Sequence, residues 1–336
     1  MTKVKFNIPH ITGNEIKYIQ RVISSGHISG NGKFSKKIED FFNINFGLKS
    51  TFVTTSCTDA LEMTGILSNI NNESEIIIPS YTFVSSANAF ALRGAKIIFA
   101  DSEKHTPNID ANKISELITK KTKAILVMHY GGVACDMDKI MEIAIKNNLI
   151  VIEDAAQAIN SFYKGVPLGS IGNFGTFSFH QTKNIVCGEG GLLSVNDRSF
   201  KKRAEIIYEK GTNRSQFMRG EVEKYGWVDV GSSFLASEII SAFLYAQLEK
   251  IEIIQKSRMT IWNRYKKNLI GLLKINKNIL PKIPDYATNN GHVFYITCNN
   301  LRERKKLIKF LNNNGVQASF HYSALHDSEF FKDRYY

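Results

Sequence analysis

Leu149-Ile150-Val151-Ile152-Glu153-Asp154-Ala155-Ala156-Gln157 sets an unbroken apolar run against an acidic pair. An apolar run this short, without polar alternation, suits a strand buried on both faces. A helical pattern over residues 137–147 precedes it, and another apolar run, 124–128, comes before that. The alternation continues upstream. Runs at 51–54, 76–78 and 96–100 are separated by helical patterns at 58–68, 84–93 and 112–118. Apolar strands alternating with helices predict an α/β fold, with a large, mostly parallel sheet covered by helices on both faces.

Outside this core the pattern changes. Residues 14–25 place Ile16, Ile19, Val22 and Ile23 on one helical face. A glycine-rich turn (Gly26, Gly30, Gly32) follows, and Ser35 has the chemistry of an N-cap for a helix reaching Phe46. Strands are predicted at 176–179 and 192–195. A single long helix is predicted over 237–270, carrying Ile240, Phe243, Leu244, Gln247 and Leu248. Pro281 and Pro284 then break the chain. A strand at 293–297 and a helix at 303–313 predict a small α+β C-terminal domain. The expected division is a large domain over 1–245 and a small one over 246–336.

The 336 residues contain no apolar stretch of bilayer length, and the N-terminus lacks the apolar core of a secretory signal. A soluble, cytoplasmic protein is expected. Cys57, Cys135, Cys187 and Cys298 are far apart and form no C-x-x-C pair, which points to free thiols rather than a metal site or a disulfide framework. The net charge of +12 comes from scattered lysines. It predicts solvated faces and a field that favours small anions, with neither a nucleic-acid nor a membrane partner.

Ligands of open α/β sheets bind beyond the carboxyl ends of the strands, and four segments fall there. Thr54-Thr55-Ser56-Cys57-Thr58 ends a strand and opens a helix, so its free N–H groups suit a phosphate; a simple cap by Ser56 or Thr58 is the alternative. Pro79-Ser80-Tyr81-Thr82-Phe83 puts aromatics at a strand end, for stacking on a planar ring or for core packing. Asp154 ends a strand where a buried carboxylate needs a partner, either a protonated heterocycle or the N–H groups of a helix start. Lys183 lies a few residues past Phe177-Ser178-Phe179-His180, before the turn Gly188-Glu189-Gly190-Gly191. It is an exposed lysine or one that reaches into the crevice. His180 reads as a local hydrogen-bonding residue.

In this order the four segments resemble the sugar aminotransferases of the DegT/DnrJ/EryC1/StrS type, which are fold-type I pyridoxal-phosphate enzymes. The resemblance covers nearly the whole chain. It is carried also by His129-Tyr130-Gly131-Gly132-Val133-Ala134-Cys135-Asp136 and by Glu209-Lys210-Gly211-Thr212-Asn213-Arg214-Ser215-Gln216-Phe217. It implies that Lys183 is the catalytic lysine that carries the cofactor and that Asp154 faces the pyridine nitrogen. Gln157 would stand beside the ring's phenolic oxygen, with Phe83 and Ala156 on opposite ring faces. The phosphate would lie on Cys57, Thr58 and Ser178. Ser233 stands where many relatives carry an Asn that reaches the neighbouring subunit's phosphate, which implies a homodimer with shared sites. The subgroup likeness implies that a dTDP-4-keto-6-deoxyhexose receives an amino group from glutamate. The product would be a galactose- or glucose-configured 4-amino-4,6-dideoxyhexose for bacterial surface polysaccharide, such as lipopolysaccharide O-antigen.

His321-Tyr322-Ser323-Ala324-Leu325-His326 resembles the family's His-Tyr-x-Pro-Leu-His, with Ala324 replacing Pro. The family continues past the position of Tyr336, so a shortened small domain is expected. Two other readings are a sugar-dehydrating lyase, in which His replaces the lysine, and a non-catalytic relative that binds the sugar nucleotide. Lys183 argues against the lyase.

Overall fold

The computed structural model describes residues 3–274 and 280–335. Helices α1 (Glu15–Ser25) and α2 (Lys33–Phe46) precede β1 (Thr51–Thr54). Helices and strands then alternate: α3 (Cys57–Leu67), β2 (Glu75–Pro79), α4 (Ser85–Ala91), β3 (Lys96–Ala100), α5 (Ala111–Ile114), β4 (Thr122–Met128), α6 (Met137–Lys146) and β5 (Ile150–Asp154). A short hairpin, β6 (Phe162–Tyr163) and β7 (Val166–Pro167), leads to β8 (Phe174–Ser178) and β9 (Gly191–Val195). Helices α7 (Lys201–Tyr208), α8 (Arg214–Met218), α9 (Glu238–Leu248), α10 (Ile251–Leu269), α11 (Leu301–Asn313) and α12 (Glu329–Tyr335) follow.

Among the described residues, one sheet has the strand order β1-β9-β8-β5-β4-β2-β3. Its neighbouring strands run parallel except where β9 pairs with β1 and β8. The parallel strands therefore end at one edge. Gly191, the first residue of β9, starts at that same edge, opposite Thr54 and Ser178. Successive side chains face opposite sides of the sheet. Ile77, Ile125, Val127 and Val151 enter one core, while Ile76, Ile78, Leu126 and Ile152 enter the other. This is why the strands read as continuous apolar runs. The predicted α/β sheet with helices on both faces is the observed one.

Four local expectations change. Helix α2 begins at Lys33, and Ser35 is inside its first turn rather than at the cap. Gly32 occupies the cap and has no side chain to offer. The buried Glu238 carboxylate accepts instead from the N–H groups of Gly32, Phe34 and Ser35. A Cβ on Gly32 would come within 2.7 Å of Glu238 Cδ, so the glycine makes room for the distant cap. In α1 the buried positions are Glu15, Tyr18 and Val22, while Ile16 and Ile23 are exposed. Polar bonds to α9 set that face: Gln247 donates to Glu15 at 2.7 Å, and Tyr18 donates to Glu249 at 2.7 Å.

The predicted helix over 237–270 is two helices, α9 and α10, separated at Glu249–Lys250. Residues 293–297 form no strand. No neighbouring strand among the described residues pairs with them, and the Trp262 indole donates to the Val293 carbonyl at 3.1 Å.

Replacing Glu238 by Ala leaves three N–H groups at the start of α2, two of them buried, without their acceptor. We expect a loss of about 3 kcal/mol, read as a lower denaturation midpoint with an unchanged m-value. A midpoint equal to the parent's would show that Glu238 does not hold α2.

Candidate active site

The two carboxylates that end β5 are both buried but separate by strand alternation. Glu153 accepts from the backbone N–H groups of Gly169, Ile171 and Gly172 at 2.7–2.8 Å and from His129 Nε2 at 2.9 Å. The Cys135 N–H donates to His129 Nδ1, which places the ring proton on Nε2. Glu153 is thus a saturated structural anchor. Asp154 lines an open cleft of about 2180 Å³ at the strand ends. It accepts from Ser86 Oγ at 2.6 Å and from the Ala156 N–H at 3.1 Å, two neutral donors. Burial pushes its carboxyl above the usual carboxylate range, against the opposing pull of Lys183.

Across the cleft, Ser56 caps α3 by accepting the Asp59 N–H, and the first intrahelical bond runs from Ala60 N to Ser56 O. The N–H groups of Cys57 and Thr58 precede that bond, at the positive end of the helix dipole. Gly191 lets β9 approach this turn. A Cβ on it would lie 2.3 Å from the Ser56 carbonyl carbon and 2.4 Å from Cys57 N. Thr58 Oγ1 donates to Ser85 Oγ at 2.9 Å, and Ser178 lines the same end of the cleft. Burial pushes the Cys57 thiol up, so Cys57 offers its backbone rather than a thiolate.

Lys183 enters from the loop between β8 and β9, and burial holds its amine below the ordinary lysine value. Three elements fix this loop. Arg258 of α10 donates to the Lys183 carbonyl at 3.0 Å, and Asn7 donates to the Gln181 carbonyl at 2.9 Å. Asn184 donates to the Asn290 carbonyl at 2.9 Å and lies 3.0 Å from His292 Nδ1. His180 contacts Thr182 at 2.8 Å, a local bond of the kind expected.

The aromatic wall is richer than anticipated. Phe83 is half exposed at the cleft, its ring 6.0 Å from that of Tyr322. Gln157 donates to Tyr322 Oη at 2.9 Å and accepts the Gly131 N–H at 2.7 Å. His321 stacks on Tyr322 at 4.2 Å, and its Nδ1 lies 3.0 Å from Tyr130 Oη. Burial lowers His321 to about 4, so its ring is neutral near pH 7. The C-terminal segment therefore closes one side of the cleft.

The structure brings Lys183, Asp154, Phe83, Ala156, Ser178, Cys57 and Thr58 to one cleft, with Gln157 just behind its wall. Ser233 lies apart, exposed and paired with Glu209 in an isolated bridge. Sequence reasoning assigned no role to Ser86, Tyr322, His321 or Arg258. His321 and Tyr322 are inside the quoted 321–326 motif, but nothing in spacing alone joins positions 86, 154 and 322.

Residues 9–336 match the model of the DegT/DnrJ/EryC1/StrS aminotransferase family. A GDP-perosamine synthase of Caulobacter vibrioides is 31% identical over 333 residues, covering 97% of this chain and 86% of that protein. A GDP-perosamine synthase of Escherichia coli O157:H7 is 34% identical over 270 residues, 80% of this chain and 72% of its own. The aminotransferase TlmJ of Streptoalloteichus hindustanus superposes with a TM-score of 0.88 at 26% identity, covering 98% of this chain and 87% of that one. With its catalytic cleft at the ends of a mostly parallel sheet, the chain belongs to the DegT/DnrJ/EryC1/StrS aminotransferase family and is a pyridoxal-phosphate-dependent aminotransferase.

Proposed function

We propose that this enzyme transfers the amino group of glutamate to the 4-keto carbon of a nucleotide-linked 6-deoxyhexose. The observation that carries this reading is the meeting of Lys183 and Asp154 in one cleft beside a helix N-terminus. Asp154 also supplies the test of fit to the cofactor. The buried Asp154 carboxylate is hydrogen-bonded only by neutral donors, and among the described residues no cation touches it, Lys183 acting on it without an ion-pair contact; a protonated pyridine nitrogen would supply that contact. Cys57, Thr58 and Ser178 would hold the phosphate, Phe83 and Ala156 the two ring faces, and Gln157 the phenolic oxygen.

Bound pyridoxal phosphate supplies the electron sink and the amino-group carrier of the reaction. The protein orients the reactants and moves protons. Asp154 holds the proton on the pyridine nitrogen, and Ser86 fixes the carboxylate that does so. Lys183, kept neutral more readily by burial, takes the proton from the donor's α-carbon and would pass it to the cofactor carbon beside the transferred nitrogen within the same half-reaction; in the second half-reaction it would move a proton from that carbon to C4 of the sugar. The aromatic rings of Phe83, Tyr322 and Tyr130 line one side of the cleft where that exchange would take place.

The curated relatives act on GDP sugars by name, while the subgroup motif around Glu209–Phe217 supports a dTDP sugar. We favour dTDP as the nucleotide and carry GDP as the second arm of the test. The two-subunit reading is favoured by the exposed stretch around Ser233, where Trp227, Val228 and Val230 are also exposed. Ser233 would then complete a neighbouring copy's phosphate site in a homodimer.

Lys183→Ala should lower turnover roughly 1000-fold and abolish borohydride fixation of the cofactor to the chain; full transamination by that variant would overturn its assignment. Asp154→Asn should cut turnover roughly 100-fold with the melting temperature preserved. Glu153→Gln should instead cost about 2 kcal/mol of stability, which thermal denaturation of the pair would separate. Glutamate with dTDP- or GDP-4-keto-6-deoxyhexose should yield 2-oxoglutarate and a 4-amino sugar by NMR. A deoxygenated sugar formed without glutamate turnover would support the lyase instead.

A further inference from the structure

The three-sided clamp on the Lys183 loop contains a charge that the clamp does not explain. Arg258 lines the cleft and is largely enclosed. Its Nη2 donates to the Lys183 carbonyl and to Asn7 Oδ1, both at 3.0 Å and both neutral acceptors. Among the described residues it forms no ion pair. Arg203, Arg214 and Arg219 each reach a carboxylate at 2.7–3.2 Å. An enclosed guanidinium with no counter-charge is costly, and in a ligand cleft it marks where an anion binds.

The surroundings agree. His292 and His321 also line the cleft, where burial and then the charge of nearby Lys183 lower their basicity, and neither brings a negative charge. Burial alone lowers the Arg258 basicity, with no carboxylate offsetting it. The φ of Gly291 is +64°, and a Cβ there would lie 3.0 Å from the Arg258 carbonyl carbon. The 289–292 turn therefore packs against the backbone of Arg258 and fixes it before any ligand arrives.

Two anions enter an aminotransferase of nucleotide sugars, a carboxylate and a diphosphate. The carboxylate of an amino donor is attached to, or a few bonds from, the carbon that reacts beside Lys183. The diphosphate lies beyond a whole sugar ring from the reacting carbon. Exposed cations such as Arg304 and Lys104 sit along the cleft at positions open to solvent and suit the latter. We propose that Arg258 is the binding residue for a carboxylate of the amino donor. Its planar fork matches a carboxylate through two parallel hydrogen bonds. Its bond to the Lys183 carbonyl ties that carboxylate to the residue that moves the proton. The proposal rests on the glutamate reading above.

The test uses the holoenzyme and its Arg258→Gln and Arg258→Lys variants. Glutarate, a dicarboxylate without the amino group, is the probe, with binding followed by calorimetry. Arg258→Gln should weaken glutarate roughly 10- to 100-fold and raise the KM for glutamate by a similar factor. Arg258→Lys should recover part of the loss. Single-turnover measurements should find the keto-sugar half-reaction saturating at the parent's sugar concentration, with any fall in its maximal rate, from the loosened Lys183 loop, shared by both half-reactions. Unchanged glutarate affinity in Arg258→Gln overturns the proposal. So does a selective loss of dTDP or GDP affinity, which would make Arg258 a diphosphate residue. An equal fall in both half-reactions with intact glutarate binding would reduce Arg258 to a brace for the lysine loop, and likewise overturns it. A parent enzyme that binds glutarate but ignores glutamate would overturn the donor reading while leaving a carboxylate site at Arg258 standing. A parent that binds neither removes both.

Discussion

Adjacent carboxylates at the end of β5 project to opposite sides of the sheet, and each is buried. Burying charge side by side is tolerable only when each group has its own compensation. Glu153 is met by three backbone N–H groups and a neutral histidine, which ties the 169–172 turn to β4 and β5. Asp154 has two neutral donors and faces a cleft. The completeness of the first arrangement lets the second remain incomplete without loosening the strand, and that incompleteness gives the cleft its chemistry.

The rest of the site depends on where the sheet puts its strand ends. Parallel strands bring Thr54, Asp154 and Ser178 to one edge. The antiparallel β9 adds Gly191, whose missing side chain lets the backbone lie against the first turn of α3. Helix dipole, free N–H groups and hydroxyls then converge at that edge. The lysine enters on the connection between β8 and β9, so the same topology brings the amine to the cleft that the first turn of α3 lines.

Elements remote in sequence finish the cleft. Asn7 from the N-terminal segment, Arg258 from α10 and the 289–292 turn hold the lysine loop. Tyr322 and His321 close the aromatic side against Gln157 and Tyr130. A lysine with a depressed basicity needs this enclosure, because an amine that swings into solvent regains its ordinary proton affinity.

The sequence by itself determined the strand-helix alternation and the two-faced sheet, because apolar runs fix strands and residues just past a parallel strand fall at its carboxyl end. The residues alone left Lys183, Asp154 and Phe83 each with two readings; the family resemblance named them as cleft residues, and the fold brings them to one cleft. Tertiary structure alone decided what pairs over long separations. The cap of α2 comes from Glu238, about two hundred positions away, and the exposed Ile16 and Ile23 reflect a helix face chosen by polar bonds to α9. The 237–270 pattern was helical throughout, yet the chain breaks at Glu249–Lys250: α9 packs on α1 and α2, while α10 bonds the Lys183 loop through Arg258 and the 293 segment through Trp262. The split of Glu153 from Asp154 was implicit in period-two geometry, but which face held the cleft was not. That choice depends on which side the loops and the C-terminal segment cover, and such coverage is a property of the assembled chain.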